Sequence, residues 1–447
     1  MALYNALTKC KNIIPIFIFT PEQITKNAFK SNKSVQFMIE SLGDLKEELE
    51  RRNGTLYTFY GDIDEIIMNL IKKYNIDSVF VNKDYSPYSK SRDIKISNIC
   101  KKHNIEFNSY HDICLFEPQT ITTENGVYRK FTPFYNECLK NISKIDFVPS
   151  YSFKSKWCYD IDKNRYSTNI KDAYITLTEP SNKSLLQGGR SFALNIFKEL
   201  NDFKGYGKER NFLHIQTTQT SAYLKYGCIS SKEMYSELLK KGFSKSHDLI
   251  RQLIWRDFYI HILDAYPQVL KGKSFKPKYD TIVWDNDAKL FNSWRNGNTG
   301  FPIIDACMRQ LNTVGYMHNR GRLIVASFLI KTLFIDWRKG EKYFAQNLID
   351  YDPAANNGNW QWVAGSGVDS QPYFRIFNPW SQSEKYDNDA KYIKKWCPEL
   401  VDVPPKDIHN WSKTCDKYIE EGVKYICPVV DYSERRNYVL GKYKKYI

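Results

Sequence analysis

The sequence lacks the markers of several protein classes. Its ten cysteines, scattered from Cys10 to Cys427, include no CxxC pair, which argues against a zinc ribbon or a dithiol redox motif. Free thiols at irregular spacing fit a reducing compartment. The seven histidines form no HExxH, and no metal site is expected. No apolar run approaches the roughly 18 residues that a membrane-spanning helix needs. Ile13–Phe19 is too short for a secretory h-region. Gly272-Lys273-Ser274 matches the tail of a phosphate loop, but Pro267 stands where the first glycine must be, so the motif fails. No internal repeat or low-complexity tail is present. An intracellular protein, in the cytoplasm or nucleus, is expected.

What is present is a foldable, basic, aromatic chain. It has 447 residues, 42% of them hydrophobic, enough for a large core and more than one domain. Lys and Arg outnumber Asp and Glu by 65 to 50, a net charge of +15, and there are 32 Tyr, 26 Phe and 10 Trp. A basic, aromatic-rich chain points to a polyanion, with nucleic acid the first candidate. A solvated surface rich in lysine is the alternative.

The first 110 residues alternate. Ile13–Phe19, Gly54–Tyr60, Ser78–Asn82 and Ile105–Phe107 read as strands; Ser34–Arg52, Ile63–Tyr74 and Lys90–His103 read as helices. That alternation implies βαβ units and a doubly wound, Rossmann-like parallel sheet. The sequence begins on Ala2–Leu7, which reads as a helix, where a doubly wound domain has a strand. Asn141–Leu186 is polar and reads as a connection over the surface. Beyond it Ser191–Leu200, Ser230–Lys240, Asp248–Ala265, Ala288–Trp294, Phe301–Thr313, Arg320–Trp337 and Lys342–Asp350 fit helices. The expected division is an α/β domain over 1–125, a linker over 126–187 and an all-helical domain over 188–447.

The chemistry concentrates between Thr299 and Pro379. Thr299-Gly300-Phe301-Pro302 is followed by Tyr316-Met317-His318-Asn319-Arg320-Gly321-Arg322, then Ile335-Asp336-Trp337. Next come Asp350-Tyr351-Asp352-Pro353-Ala354-Ala355-Asn356-Asn357-Gly358-Asn359-Trp360-Gln361-Trp362 and Tyr373-Phe374-Arg375-Ile376-Phe377-Asn378-Pro379. A loop of Asp, Asn and Gly among tryptophans suggests a buried polar ligand with aromatic walls. Upstream, Thr217, Thr218 and Ser221 precede a predicted helix. Hydroxyls near a helix N-terminus suit a diphosphate; simple capping is the alternative.

These motifs closely resemble the photolyase/cryptochrome family, in particular the class I cyclobutane pyrimidine dimer photolyases, from Ala2 to about Val430. The resemblance implies an N-terminal α/β domain, a linker, and a helical domain holding a U-shaped FAD. The implied reaction is light-driven: excited reduced flavin donates an electron to a pyrimidine dimer in DNA, the ring opens and the electron returns. By the same resemblance Tyr206, Thr217, Thr218, Thr220, Ser221 and Arg256 hold the cofactor, and Arg322 with Asp350 forms an ion pair beside the isoalloxazine. Asp352 lies near the ribityl chain and flavin edge, and Asn356 faces N5, where an amide can donate or accept. An asparagine there goes with repair. Trp360, Trp337 and Trp284 match the family's electron-transfer chain. Trp255 and Trp362 match aromatic walls around a flipped dimer, where stacking is worth about 1–3 kcal/mol per base. Asn319 matches a contact to dimer or flavin, and Arg320, Arg375 and Lys385 match contacts to lesion-strand phosphates, which position DNA without reading its sequence.

The sequence departs from the family in three places. Gln252 stands where a glutamate usually binds the thymine edge, and Leu323 where a methionine usually flanks the lesion. The Gln252 amide can pair with an imide edge but supplies no proton or charge. The (6-4) photolyases place two histidines where this chain has Asn319 and Leu323, so repair of that lesion is not expected. Third, family members have a strand and an Arg-rich turn before the helix on which this sequence begins; a mis-started gene or a reduced domain would explain this. Loss of a central strand would leave two neighbours unpaired. No antenna chromophore, whether methenyltetrahydrofolate, deazaflavin or flavin, can be assigned to residues. Repair by a monomer is the expected function. A cryptochrome-like photoreceptor is the alternative, against which stands the absence of a long signalling tail before Ile447.

Overall fold

The computed structural model describes residues 1–145, 157–181 and 183–446. They form two compact units: Met1–Asn182 with Leu186–Lys204 and Thr220–Pro267, and Lys183–Leu185 with Gly205–Gln219 and Gln268–Ile447. The helices over 190–203 and 221–265 therefore cluster with the α/β elements, whereas Tyr206–Glu209 belongs to unit two.

Unit one contains all seven strands of the described residues. They are β1 (Ile16–Phe19), β2 (Tyr57–Tyr60), β3 (Ser78–Asn82), β4 (Glu106–Tyr110), β5 (Thr122–Thr123), β6 (Gly126–Val127) and β7 (Ser167–Thr168). β1 pairs in parallel with β2, and β3 with β4. No pairing joins β1 to β3. Among the described residues β1 and β3 each have one strand neighbour and one open edge. The helices that cross between strands begin where the sequence supplies caps. Ser31 caps Asn32–Glu50, Asp62 caps Ile63–Lys73, and Ser86, with Pro87 at the first position, caps Pro87–Lys102.

The polar connection departs from expectation. Residues 146–156 lie outside the described residues. Residues 157–181 are anchored in unit one, while Lys183–Leu185 belong to unit two. Trp157 is buried with Phe19, Leu42 and Leu49, and its Nε1 donates to the Arg52 carbonyl at 2.6 Å. A Cβ on Gly54 would lie 2.1 Å from this indole, so only glycine fits. β7 then adds antiparallel to β2. One tryptophan and a two-strand ladder thus tie down a segment whose composition reads as loop.

Unit two is helical around one core that includes Phe301, Ile330, Phe334, Trp337, Trp360 and Trp411. Two expectations fail. The helix expected over Arg320–Trp337 is two helices, Asn319–Lys331 and Trp337–Asn347. Phe334 takes a left-handed φ of 54°, which no α-helix passes through, and the Asp336 carboxylate then accepts from the Arg338 N–H to start the second. The Asp-Asn-Gly run expected as a loop is the helix Pro353–Ala364. Its low intrinsic propensity is overridden by a buried amide ladder. Asn357 Nδ2 donates to Glu341 Oε1 at 3.2 Å, Gln361 Nε2 donates to Asn357 Oδ1 at 2.9 Å, and the Phe275 N–H donates to Gln361 Oε1 at 2.8 Å.

The cysteines hold a further correction. Cys415 and Cys427 form a disulfide, while eight others are free. Trp411 Nε1 donates to the Ile426 carbonyl at 2.8 Å, which lays the segment after the helix Trp411–Glu420 back against it. The pairing is made by this fold and not by a recognisable spacing. No helix of the described residues is long and apolar enough to cross a membrane.

Candidate functional site

In unit one the candidate residues converge on the helix Asp248–Ala265 and on the short helix Ser221–Lys225. Gln252 is half-buried, its Nε2 donating weakly to the Asp248 carbonyl at 3.4 Å. Trp255 lies one turn on. Phe131, at the start of the helix Phe131–Asn141, stacks on it with centroids 3.5 Å apart and planes within 5°. One indole face is thereby covered and the ring plane is fixed. Arg256 donates to the Ile113 carbonyl, to Ser231 Oγ at 3.3 Å and to the Leu224 carbonyl at 3.5 Å. Its guanidinium ties the helix carrying Ser221 to the unit. Thr220 stands at the N-cap of that helix without a capping side-chain bond.

The same long helix carries a buried polar pair. Asp257 Oδ2 accepts from the Phe116 N–H at 3.0 Å, and the His261 ring, through Nε2, bonds the Phe116 carbonyl at 3.0 Å. Burial pushes the Asp257 carboxyl up to about 7 and pulls the His261 imidazole down to about 4. Together they clamp the turn after β4.

In unit two the helix Asn319–Lys331 and the helix Pro353–Ala364 carry the centre. Arg322 Nη2 donates to both oxygens of Asp350, at 3.1 and 2.9 Å, and its Nε donates to the Met317 carbonyl at 2.8 Å. The Tyr316 ring lies 5.4 Å from this guanidinium; burial pushes the tyrosine hydroxyl up, a rise that the nearby Thr217 side chain lessens. Asp350, Arg322, Tyr316 and Thr217 are therefore brought together. Thr218 and Tyr206 are half-buried in the same unit, Tyr206 with Arg210 6.0 Å from its ring. Asp352 caps the helix Pro353–Ala364, accepting from Ala354 and Ala355 at 2.9 and 3.2 Å. Its capping role is thus filled whatever else it binds. Asn356 Nδ2 donates to the Glu341 carbonyl at 3.1 Å. The amide is thereby oriented, because only an N–H can meet a carbonyl, and Oδ1 and the second N–H remain for other partners.

The three tryptophans grade from inside to outside. Trp360 and Trp337 are 3% and 1% exposed, and Trp284 is half-exposed on the same core. A Cβ on Gly340 would stand 2.3 Å from Trp360, so the helix Trp337–Asn347 admits this indole only at a glycine.

Unit two also carries a basic cluster. Arg320 stacks 4.4 Å over the Tyr386 ring and donates to Asn211 Oδ1 at 2.7 Å. Burial pulls its pKa down, and the charges of Arg210 and Arg375 act the same way. Lys385 Nζ lies 5.5 Å from the centre of the same Tyr386 ring. Arg375 and Lys385 are exposed, Asn319 is exposed, and Leu323 and Trp362 are half-buried. Sequence reasoning missed Phe131, Asn211, Glu341 and His318. His318 Nδ1 accepts from the Arg320 N–H at 3.1 Å, which places the ring proton on a buried Nε2. Burial with Arg322 and Arg320 nearby pulls it down to about 4, so the ring stays neutral.

Residues 1–151 match the family described as DNA photolyase, and residues 249–445 the FAD binding domain of DNA photolyase. A deoxyribodipyrimidine photo-lyase of Buchnera aphidicola is 35% identical over 472 residues, covering 99% of this chain and 95% of the relative. The chain belongs to the DNA photolyase family. The Escherichia coli deoxyribodipyrimidine photo-lyase is 32% identical, with 97% and 94% covered. Among solved structures, an archaeal photolyase from Sulfolobus tokodaii with two FAD molecules is 40% identical with a TM-score of 0.86, covering 99% of this chain and 96% of that one. A class III photolyase from Agrobacterium tumefaciens is 32% identical with a TM-score of 0.89, covering 100% and 94%. Within the DNA photolyase family, the donor set of unit two suits FAD: hydroxyls for a diphosphate, and an ion pair and an oriented amide for a polar ring edge.

Proposed function

We propose that this chain is a light-dependent DNA-repair enzyme, a deoxyribodipyrimidine photo-lyase with FAD, acting on cyclobutane pyrimidine dimers. The observation that carries this reading is the anchored Asn356 amide. With one N–H engaged by Glu341 and the amide so oriented, its Oδ1 can accept, which suits the N5–H of a reduced flavin. Reduced FAD excited by light supplies the electron that splits the cyclobutane ring and receives it back.

The chain's own residues bind, orient and shield. Tyr206, Thr217, Thr218, Thr220 and Ser221 hold the diphosphate, and Arg256 fixes the Ser221 helix. Arg322 and Asp350 present a neutralised pair to the ring edge, so a charge developing there meets fixed dipoles rather than water. Trp360, Trp337 and Trp284 pass electrons inward from the surface. Trp255 and Trp362 stack on the extruded bases, Gln252 pairs with an imide edge, and Asn319 and Leu323 complete the contact. Arg320, Arg375 and Lys385 hold phosphates.

The test is direct. The purified protein is expected to show a bound-flavin spectrum and, on illumination, to remove dimers from single-stranded and duplex DNA. Bound FAD without light-dependent loss of dimers would overturn the proposal.

A further inference from the structure

Lys331 ends the helix Asn319–Lys331 and has no solvent exposure. A buried ammonium is costly, because its hydration is lost. Among the described residues it makes no ion pair. Its Nζ donates to the Arg375 carbonyl at 2.9 Å. Burial, with the Arg375 charge nearby, pulls its pKa down to about 7. A methionine would fill this space without a charge to desolvate, so packing alone does not account for the lysine.

One turn earlier the same helix makes a second tether. Ser327, 1% exposed, accepts from the Phe377 N–H at 3.2 Å. Two buried side chains of one helix thus hold the backbone on both sides of Ile376. The Arg375 side chain itself is exposed. A cation on a fixed backbone loses less freedom on binding an anion.

We propose that Lys331 is a positioning residue for DNA binding: with Ser327 it fixes residues 375–377 so that the Arg375 guanidinium is held out to a phosphate of the lesion-bearing strand. This rests on the reading of Arg375 as a phosphate contact.

The test uses the holoenzyme with Lys331→Met, Ser327→Ala, Arg375→Ala and the Lys331→Met/Arg375→Ala double variant. Affinity for dimer-containing duplex is read by fluorescence anisotropy, beside the flavin spectrum and light-driven flavin reduction. Arg375→Ala and Lys331→Met are each expected to weaken binding about tenfold, and Ser327→Ala about threefold. The double variant should bind no more weakly than Arg375→Ala, because the lysine acts only through the arginine. Spectrum and photoreduction should match the parent. Unchanged binding by Arg375→Ala would remove the phosphate reading and this inference with it. If Arg375→Ala weakens binding while Lys331→Met and Ser327→Ala do not, or if the losses add, the inference alone falls. Loss of flavin photoreduction in Lys331→Met would also overturn it, by showing a general structural role. If Lys331→Met does not fold, Ser327→Ala and its double variant with Arg375→Ala carry the same comparison.

Discussion

Gln252 leaves the helix Asp248–Ala265 half-buried, with one N–H spent on a long bond to Asp248. Its carbonyl and second N–H can still meet a pyrimidine imide, but an amide cannot supply a proton or a charge to a dimer that has gained an electron. Gln252→Glu is therefore expected to raise the quantum yield of dimer splitting and leave the flavin spectrum unchanged. An unchanged yield would refute this account. Much of the candidate site was legible at this scale because Asp350–Trp362 is one contiguous run. Orientation was not. How the Asn356 amide is turned depends on the Glu341 carbonyl, and the plane of Trp255 depends on Phe131. Both partners lie in other elements, and nothing in their local sequence marks them.

The broken sheet of unit one has consequences for whole strands. β2 is paired on both sides, by β1 and β7, whereas β1 and β3 each keep an open edge. Successive amides of a parallel strand alternate between its two sides, so about half of those in β1 and β3 have no ladder partner. Hydrogen exchange read by mass spectrometry is expected to show peptides over 16–19 and 78–82 less protected than those over 57–60. Equal protection would mean that the open edges are covered. The strand alternation was legible because four strand-like runs kept their spacing. The linker and the Pro353–Ala364 helix were not. A buried Trp157 and the ladder from Glu341 to Gln361 are tertiary bonds that override local composition.

Across the whole molecule, the net charge of +15 leaves open whether the excess is a solvated surface or a binding feature. The two cationic environments of unit two separate these readings. Arg322 is neutralised by Asp350, whereas among the described residues Arg320 has an amide, an aromatic ring and two further arginines around it and no ion pair with a carboxylate. Cations left close together without a carboxylate are stabilised by an external anion. If Arg320, Arg375 and Lys385 each neutralise one phosphate, log affinity for duplex DNA should fall with log salt at a slope of about −2.7. Between about 50 and 200 mM salt that is a loss of about fortyfold. Lys385→Ala should make the slope shallower by about 0.9 and weaken binding to damaged and undamaged DNA alike, since a phosphate contact carries no sequence information. A diffuse basic surface would respond differently: removing one lysine among 65 basic residues would leave the slope unmoved. A wild-type slope near zero would show that this cluster does not hold the DNA backbone at all.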